Sequence, residues 1–310
     1  MSRTPKRFLV TGATGFVGRR VVGELAANGH EVVALVRPST ASNPASIEPL
    51  LRDGVEISRG DVLDAASVRR AASDVDVVCH LAAVLPRQGS SVSDVLRSNI
   101  VGGKNVLDAC VRQSVVRLVF ASSVAVYGRC LFGVSERTPP NPLGPYGYAK
   151  LAVEQAIHER ARKEGLSHSL LRLSPIYGRG GPPVFTRQIR QVLAGRRPRT
   201  PAGGWLEQWI HVDDAARAVL VAATTDVERP VTFNLAGPDT VSPHQLASLV
   251  WSLVLDGPLL EYDRRGFTSA IQLFDTTRSR ATLGFVPRVG LIDGLPELID
   301  ESGVAPSRLT

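Results

Sequence analysis

The sequence predicts an α/β fold, in which a doubly wound parallel β-sheet is covered by helices on both faces. Two observations support this prediction. Strand-like apolar runs alternate with helix-like stretches from residue 8 to residue 174. The first apolar run leads through a glycine-rich turn directly into the first helix-like stretch. Such alternation favours parallel pairing, because each helix returns the chain to the same end of the sheet.

The individual elements follow from the spacing of apolar residues. The apolar runs predict strands at 8–10, 31–36, 75–83, 116–122 and 168–174. The segments between them predict helices at 17–28, 64–73, 94–113 and 146–164. From 178 to 204 the chain contains many prolines and glycines, and the pattern loosens. A regular α/β region is therefore followed by a less regular one.

Composition agrees with a soluble enzyme. The chain has 310 residues, of which 44% are hydrophobic, so it can bury the core of one large or two closely associated domains. A membrane helix needs about 18 apolar residues, and no run approaches that length. The N-terminal apolar segment is also too short for a secretory signal. Cys79, Cys110 and Cys130 lack metal-ligand spacing and are expected to be reduced and buried, in a cytoplasmic protein without a metal site.

The formal charge of +7 raises the question of a nucleic-acid partner. Only four residues are lysine, so nearly all of the positive charge is arginine. No run of five like charges occurs, and the densest basic cluster lies at 196–199. An anionic cofactor, an anionic substrate and a solvated surface account for this basicity. We therefore expect no nucleic-acid partner.

The glycine-rich turn at residues 11–18 has the features of a phosphate-binding loop. Gly12 can adopt the positive φ of a tight turn, and Gly15 allows backbone to approach a pyrophosphate. Gly18 permits close packing of the helix on the strand. The pyrophosphate would lie at the helix N-terminus, where free N–H groups and the helix dipole favour anions.

Tyr146 and Lys150 lie four residues apart in a predicted helix and therefore share one face. A free tyrosine titrates near ~10 and is a poor base at neutral pH. A cation within about 4–6 Å stabilises the phenolate. Tyr146 could then exchange a proton with a carbinol oxygen. Tyr148 is also close to Lys150 in sequence, but it lies on a different face.

With this Tyr-x-x-x-Lys motif, the spacing Gly-x-x-Gly-x-x-Gly resembles the short-chain dehydrogenase/reductase superfamily, and in particular its extended, NAD-dependent epimerase/dehydratase branch. Further matching segments lie at 60–62, 80–83, 98–102, 120–128, 171–178 and 210–214. The resemblance covers residues from about 7 to about 298. It implies a Rossmann-like dinucleotide-binding domain at 1–178 and 210–235, and an interleaved substrate-binding lobe at 179–209 and 236–310. It also implies a homodimer formed by the helices at 94–113 and 146–164.

The resemblance also implies roles for site residues. Ser123 would hydrogen-bond the reacting oxygen, with Ser122 as the alternative, and Asn99 would support its helix and the water contacts of Lys150. Lys150 would also hold the nicotinamide ribose. Asp61 would accept from the adenine amino group, although an aspartate after a strand can equally cap a turn. The dinucleotide-binding residues implied in this way are Gly12, Thr14, Gly15, Phe16, Val17, Gly18, Asp61, Val62, Leu81, Ala82, Ala83, Tyr146, Lys150, Pro175 and Ile176.

The choice between NAD(H) and NADP(H) depends on Arg37, which follows the second predicted strand. NAD-binding relatives usually place an acidic residue there. Arginine can instead pair bidentately with a 2′-phosphate, so NADP(H) is favoured over NAD(H). An arginine that stacks over the adenine would be compatible with NAD.

Several other polar residues have structural explanations. His80 and His211 follow apolar strand residues and are expected to be structural rather than acid/base groups. Asp213 and Asp214 precede a helix-like segment and are expected to cap it. Tyr127 is expected to pack beside the nicotinamide.

Two departures from the resemblance narrow the reaction. The 4,6-dehydratases of this branch carry an Asp-Glu pair directly after the catalytic hydroxyl, where this chain has Val124 and Ala125, so dehydration by that mechanism is not expected. Glu207 occupies the position at which nucleotide-sugar enzymes often carry an arginine for the diphosphate. Residues 84–91 and 178–205 are expected to line the substrate pocket. The arginines that could compensate for Glu207 are Arg179, Arg187, Arg264, Arg265 and Arg280.

These observations predict an NAD(P)-dependent enzyme that acts on a secondary alcohol or ketone carbon of a nucleotide sugar or similar polar metabolite. Epimerisation with a retained cofactor is one outcome. The alternative is net NADPH-dependent reduction of a non-sugar ketone of natural-product or steroid-like type, which Arg37 and Glu207 favour. A non-catalytic NADP(H)-binding sensor is a third hypothesis, although such relatives usually lose the tyrosine or the lysine, and Tyr146 and Lys150 are both present.

Overall fold

The computed structural model describes residues 5–86, 90–130, 133–181, 183–194, 196, 206–226, 231–255 and 273–301. Its central element is a seven-stranded sheet in which all neighbouring strands run parallel. The strands are β1 (Arg7–Thr11), β2 (Glu31–Val36), β3 (Glu56–Arg59), β4 (Val77–His80), β5 (Arg117–Ser123), β6 (Ser167–Leu173), β7 (Ile176–Tyr177), β8 (Glu207–Gln208), β9 (Ile210–His211), β10 (Val231–Leu235) and β11 (Thr240–Val241). The large sheet has the order β10-β6-β5-β4-β1-β2-β3, and the short strands form the pairs β7–β9 and β8–β11.

Helices cover both faces of this sheet. They are α1 (Phe16–Ala27), α2 (Pro38–Ala41), α3 (Pro44–Arg52), α4 (Ala65–Ala71), α5 (Val92–Arg112), α6 (Pro145–Glu164), α7 (Pro183–Leu193), α8 (Val212–Thr224), α9 (Pro243–Leu255), α10 (Thr277–Leu283), α11 (Leu291–Gly294) and α12 (Pro296–Glu301). One buried cluster joins the sheet to α1 and α8, and a second joins its other face to α4, α5 and α6. The predicted doubly wound Rossmann-like α/β fold is confirmed.

The predicted strands and helices are of the observed type, but their lengths differ from those in the structure. The strand predicted at 75–83 spans only Val77–His80. After His80 the backbone turns towards β1, where the amide of Leu81 bonds the carbonyl of Thr11. Helix α7 lies within the proline- and glycine-rich stretch, for which no helix was predicted. Cys79 and Cys110 are buried, but Cys130 is half-buried, so the prediction of three buried thiols was wrong for that residue.

A smaller core lies beyond the sheet. Apolar residues of α7, α9, α11 and α12 form it together with Tyr177 of β7. The predicted lobe boundaries stay a prediction; the one at 209/210 falls between β8 and β9. No helix in the described ranges is long and apolar enough to cross a membrane.

The start of α1 is fixed by a close contact between glycines. Gly12 has φ +73, as the tight turn requires. A Cβ atom at Gly18, which lies in the first turn of α1, would overlap the carbonyl oxygen of Gly12. The helix can therefore begin directly above the end of β1 only while position 18 lacks a side chain.

We expect Gly18→Ala to lower the free energy of unfolding by about 2 kcal/mol, because the backbone of the turn must move to accept the methyl group. Gly23→Ala, in the same helix, is the matched control. Its nearest neighbour would be Asp53 Oδ2 at 4.0 Å, so alanine should be tolerated there and raise stability by about 0.5–1 kcal/mol. Urea unfolding of both variants checks this. Equal stability of Gly18→Ala and the parent protein would contradict the contact.

Candidate active site

The predicted site residues gather at the carboxyl edge of the parallel sheet. The glycine loop follows β1, Arg37 follows β2, and residues 61–62 follow β3. Residues 81–83 follow β4, Ser123 ends β5, and Pro175 follows β6. Ligands of open α/β sheets bind at this edge, because the loops that leave neighbouring strands meet there.

The loop after β1 fits a dinucleotide pyrophosphate. Gly15 is the N-cap of α1 and provides no side-chain cap, and no acidic residue lies in the first turn of the helix. The N-terminal N–H groups of this 12-residue helix are therefore open to an anion. Thr14 accepts from Arg19 Nε through its carbonyl oxygen, which closes the turn.

The loop after β4 packs directly on the glycine loop. A Cβ atom on Gly12 would lie 2.7 Å from the amide nitrogen of Ala82. That amide donates to Thr11 Oγ1 at 3.3 Å, and Leu81 is bonded to the carbonyl of Thr11. Ala83 follows as an exposed residue. The structure thus brings 81–83 against the loop predicted to bind the pyrophosphate.

Residues of the neighbouring loops occupy the flanks of this site. Asp61 Oδ1 accepts from the amide of Leu63, so one oxygen of this carboxylate is used in a local turn. Val62 lies against Gly102 of α5, where an added Cβ would lie 2.9 Å from its side chain. Val17 is partly buried against the core next to α1.

The loop after β6 meets the glycine loop from the other side. The carbonyl of Pro175 accepts from the amide of Ile210, and Ile176 pairs with Ile210 in the β7–β9 ladder. A Cβ atom on Gly181 would lie 2.7 Å from Phe16 Cζ. Phe16 therefore connects the glycine loop with the chain that enters α7.

Arg37 is exposed at the end of β2. Leu35 of β2 pairs with Thr11 of β1, which begins the glycine loop. Arg37 follows Leu35 by two residues. Arg59, also exposed, pairs with Val36 from the adjacent strand β3. Two arginines consequently flank this corner of the sheet edge.

The two serines at the end of β5 have different environments. Ser122 is buried, and its Oγ donates to Glu154 Oε1 at 2.5 Å. Ser123 is half-buried, and its Oγ accepts from the amide of Ala125 at the start of the 3₁₀ turn Val124–Tyr127. Because successive strand residues point to opposite faces, the Ser122–Glu154 bond also determines the direction of Ser123.

Lys150 is a buried lysine of the candidate site. Its Nζ donates to the carbonyl oxygen of Ala121 at 2.6 Å and lies 5.6 Å from the ring centre of Tyr146. Burial lowers the pKa of Lys150 to about 7, although the charge of Glu154 opposes this shift. Burial also raises the pKa of Tyr146. The lowered tyrosine pKa expected from the lysine is thus not what the structure gives, because desolvation of the phenolate is the dominant effect.

Asn99 and His80 support the loops around the site. Asn99 Oδ1 accepts from the amide of Val84, and its Nδ2 donates to the carbonyls of Val84 and Val95. His80 Nδ1 lies 2.7 Å from Thr11 Oγ1. Burial and the charge of Lys150 lower the pKa of His80 to about 3, so His80 is neutral at physiological pH.

The start of α8 differs from the prediction. The N-cap is His211, whose Nδ1 accepts from the amide of Asp213, so neither aspartate is the cap. Asp214 instead accepts from the amides of Arg288 and Val289, which ties the C-terminal segment to α8. The prediction of capping aspartates failed because histidine, which rarely caps helices, holds this position. His211 itself is buried and its Nε2 lies 3.0 Å from Glu297 Oε1.

The largest feature that the sequence analysis missed is a buried polar network behind Lys150. Glu154 pairs with Arg172 through both carboxylate oxygens, at 3.0 and 2.6 Å. Arg172 Nη1 donates to the hydroxyl of Tyr127, which donates to Asn234 Oδ1 at 2.6 Å. Tyr127 is therefore fully engaged in this network. The available signal was an arginine inside the apolar strand Ser167–Leu173, which requires a buried partner.

The substrate side is less completely described. Glu207 is half-buried and pairs with Val241 in the β8–β11 ladder. Arg179, Arg187 and Arg280 are exposed, whereas Arg264 and Arg265, like most of 195–205 and residues 87–89, lie outside the described residues. Arg187 shares the lining of a surface cleft with Arg190 and Arg196. Within the described ranges, no group of His, Cys, Asp or Glu side chains has the arrangement of a metal site.

The chain is similar in sequence to a known protein family and to individual proteins. The model of the NAD-dependent epimerase/dehydratase family matches residues 8–236. The chain is 32% identical to a dTDP-glucose 4,6-dehydratase of Streptomyces griseus over 93% of this chain and 91% of the relative. It is 32% identical to a UDP-glucose 4-epimerase of Azospirillum brasilense over 70% and 68% of the two chains.

A solved structure has the same fold. The UDP-glucuronic acid 4-epimerase of Bacillus cereus in complex with NAD superimposes with a TM-score of 0.81 at 27% identity, covering 96% of this chain and 98% of the epimerase. Sequence and structure lead to the same assignment. The chain is an enzyme that belongs to the NAD-dependent epimerase/dehydratase family.

Proposed function

We propose that this enzyme oxidises and reduces a secondary alcohol carbon of a nucleotide sugar, with epimerisation as the net reaction. The observation that carries the proposal is the position of Tyr146 and Lys150. They lie on one face of α6, and Lys150 Nζ donates to the carbonyl of Ala121, two residues before Ser123 at the end of β5. This end of β5 is at the same sheet edge as the glycine loop. The names of the relatives, which act on dTDP-glucose, UDP-glucose and UDP-glucuronic acid, support a nucleoside diphosphate sugar as the substrate.

Each residue of the site would have a separate role in the reaction. Tyr146 transfers the proton to or from the reacting oxygen, and Ser123 donates a hydrogen bond to that oxygen as its charge develops. Lys150 provides the positive charge that makes the phenolate of Tyr146 accessible despite burial. The glycine loop, together with 61–62, 81–83 and Pro175–Ile176, would hold a nicotinamide dinucleotide, which supplies hydride uptake and return when bound.

Dehydration at C4–C6, the reaction of the Streptomyces griseus relative by its name, is not proposed. The 3₁₀ turn after Ser123 carries Val124 and Ala125, and neither side chain can donate a proton to a leaving hydroxyl. Val124 packs instead against an apolar cluster around Tyr127.

Tyr146→Phe should lower kcat at least about 100-fold, because the phenyl ring cannot transfer the proton, and should leave dinucleotide affinity unchanged. Tyr148→Phe is the matched control, since Tyr148 is 55% exposed on another face of α6 and should retain full activity. Interconversion of UDP- and dTDP-hexoses followed by NMR, and binding followed by dinucleotide fluorescence, provide the two readouts. Full turnover by Tyr146→Phe would exclude this mechanism.

A second candidate is net reduction of a ketone by exchangeable NADPH, and two residues favour it. Arg37 is exposed where a 2′-phosphate would be recognised, and Glu207 places an acid at the position expected to hold a diphosphate. The two functions differ in whether the cofactor stays bound between turnovers. An epimerase returns hydride to the same substrate, whereas a reductase must exchange its cofactor.

For the cofactor, Arg37 supports NADP(H), whereas the Bacillus cereus neighbour was solved with NAD. We expect the parent protein to bind NADPH more tightly than NADH, and Arg37→Glu to weaken NADPH binding at least about tenfold by losing a charge-assisted pair. Arg70→Glu, at the far end of α4, is the control of equal charge change.

Mass spectrometry of dinucleotide released from denatured, freshly purified protein then separates the two functions. Stoichiometric retained dinucleotide supports epimerisation, and empty protein supports reduction. The role of Arg37 would be contradicted if the protein retained NAD⁺ and if Arg37→Glu bound NADPH as tightly as the parent protein.

We also propose a homodimer formed by α5 and α6. Val101 of α5 and Tyr148 of α6 are exposed apolar side chains on these two packed helices. Light scattering should give twice the chain mass of 33.2 kDa. Val101→Glu should produce monomers, whereas Ile292→Glu, at an exposed site on α11, should not. A monomeric parent protein would contradict the proposal.

A further inference from the structure

A buried ion pair lies behind Lys150, and the role inferred for it rests on the proposed function of Tyr146 and Lys150. Three side chains recur at intervals of four on one face of α6: Tyr146, Lys150 and Glu154. Lys150 and Glu154 are 2% and 1% exposed, so no water shell separates their charges from each other. Glu154 therefore stands one helical turn behind the predicted catalytic pair.

Glu154 and Arg172 hold the segment that carries Ser123 at both of its ends. Before Ser123, the Oγ of Ser122 donates to Glu154 Oε1. After it, the hydroxyl of Tyr127 accepts from Arg172 Nη1, and the guanidinium lies 4.7 Å from the ring centre of Tyr127. One ion pair thus holds Ser122, which precedes Ser123, and Tyr127, the last residue of the 3₁₀ turn that Ser123 caps.

The network also reaches the edge strand β10. The hydroxyl of Tyr127 donates to Asn234 Oδ1, and Asn234 Nδ2 donates to the carbonyls of Val134 and Asp275. Asn234 is fully buried. The ion pair is consequently held in place by elements on both sides and cannot be reoriented without breaking buried hydrogen bonds.

The charges around Lys150 determine its protonation state. Tyr146 and Glu154 face it from its own helix, and His80 faces it from the end of β4. Arg172 of β6 lies behind Glu154. His80 is neutral near pH 7, because its pKa is lowered to about 3. Glu154 is then the nearby charge that favours the ammonium form of Lys150 against desolvation.

We propose that Glu154 is a positioning residue of this enzyme: held by Arg172 and Ser122, its carboxylate keeps Lys150 a cation beside Tyr146 and fixes Ser123 in the orientation that faces the reacting oxygen. Arg172 balances the buried charge of Glu154, and hydrogen bonding within the pair preserves its geometry. The role is carried out through Lys150 and Ser123, without contact of Glu154 with the substrate.

Titration of Lys150 tests this without any substrate. The chain has only four lysines, so protein labelled biosynthetically with [ε-¹³C]lysine gives four resonances, and Lys150→Arg assigns the one that belongs to Lys150. The midpoint expected for the parent protein is about 7. In Glu154→Gln it should fall by about one pH unit or more, because desolvation is then unopposed. Glu159→Gln, an exposed glutamate of the same helix bonded to Lys163, should not move it.

The kinetic counterpart is the pH profile of the epimerase assay. Glu154→Gln should lose more of its kcat at pH 8 than at pH 6, since the ammonium form disappears at lower pH than in the parent. A purely structural role would lower kcat equally at both pH values. An unchanged Lys150 midpoint in folded Glu154→Gln overturns the inference. Loss of the tyrosine mechanism, shown by an active Tyr146→Phe, would overturn the proposed function while leaving the titration result intact.

A single neutralisation leaves Arg172 unpaired and can prevent folding. Glu154→Gln/Arg172→Gln removes both charges and retains amide hydrogen bonding, so it carries the test in that case. The Lys150 midpoint should again fall, but by less than in Glu154→Gln, because the positive charge of Arg172 is lost as well. A folded double variant with an unchanged midpoint overturns the inference. Failure of both variants to fold would assign the pair to stability alone and overturn it equally.

Discussion

The buried ion pair between Glu154 and Arg172 is the interaction on which the rest of the site depends. Removing one partner of such a pair typically costs about 3–5 kcal/mol, because the remaining charge stays buried without compensation. Arg172 lies inside an apolar strand, where burial would lower the pKa of its guanidinium, but hydrogen bonds and charge from Glu154 raise that pKa instead. The pair joins α6 to β5 and β6, and through Tyr127 it also reaches β10.

The parallel topology of the sheet determines which part of the molecule the Glu154–Arg172 ion pair stabilises. All seven strands point the same way, so the loops that follow β1, β4, β5 and β6 converge on one edge. The glycine turn brings α1 directly over β1, and the loop after β4 packs on that turn through Ala82. The ion pair fixes α6 on the opposite side of the same edge. The proposed dinucleotide site and the proposed proton-transfer site thus share the sheet as a common frame.

The sequence predicted this frame well because its signals are local. Each of these signals involves residues that are close together in the sequence: the strand and helix periodicity, the glycine spacing, and the pair Tyr146 and Lys150. The ion pair joins residues 18 positions apart on different elements, and its contact with Asn234 spans a further 62 positions beyond Arg172. The cap of α8 was also missed, because a histidine there has weak capping preference. Helix α7 escaped prediction because prolines and glycines around it conceal an apolar repeat at Phe185, Ile189 and Val192.

Burial acts in opposite directions on the two titrating groups of α6. It raises the pKa of Tyr146 and lowers that of Lys150, so desolvation alone favours a neutral phenol beside a neutral amine. A proton-transferring tyrosine needs the reverse, a phenolate stabilised by an ammonium group. A fixed negative charge nearby favours the ammonium half of this pair. Glu154 is that charge, and its own burial is tolerated because Arg172 and Ser122 satisfy its oxygens. In the proposed mechanism, the reactivity of Tyr146 therefore depends on Glu154, a residue two helical turns away that does not contact the substrate.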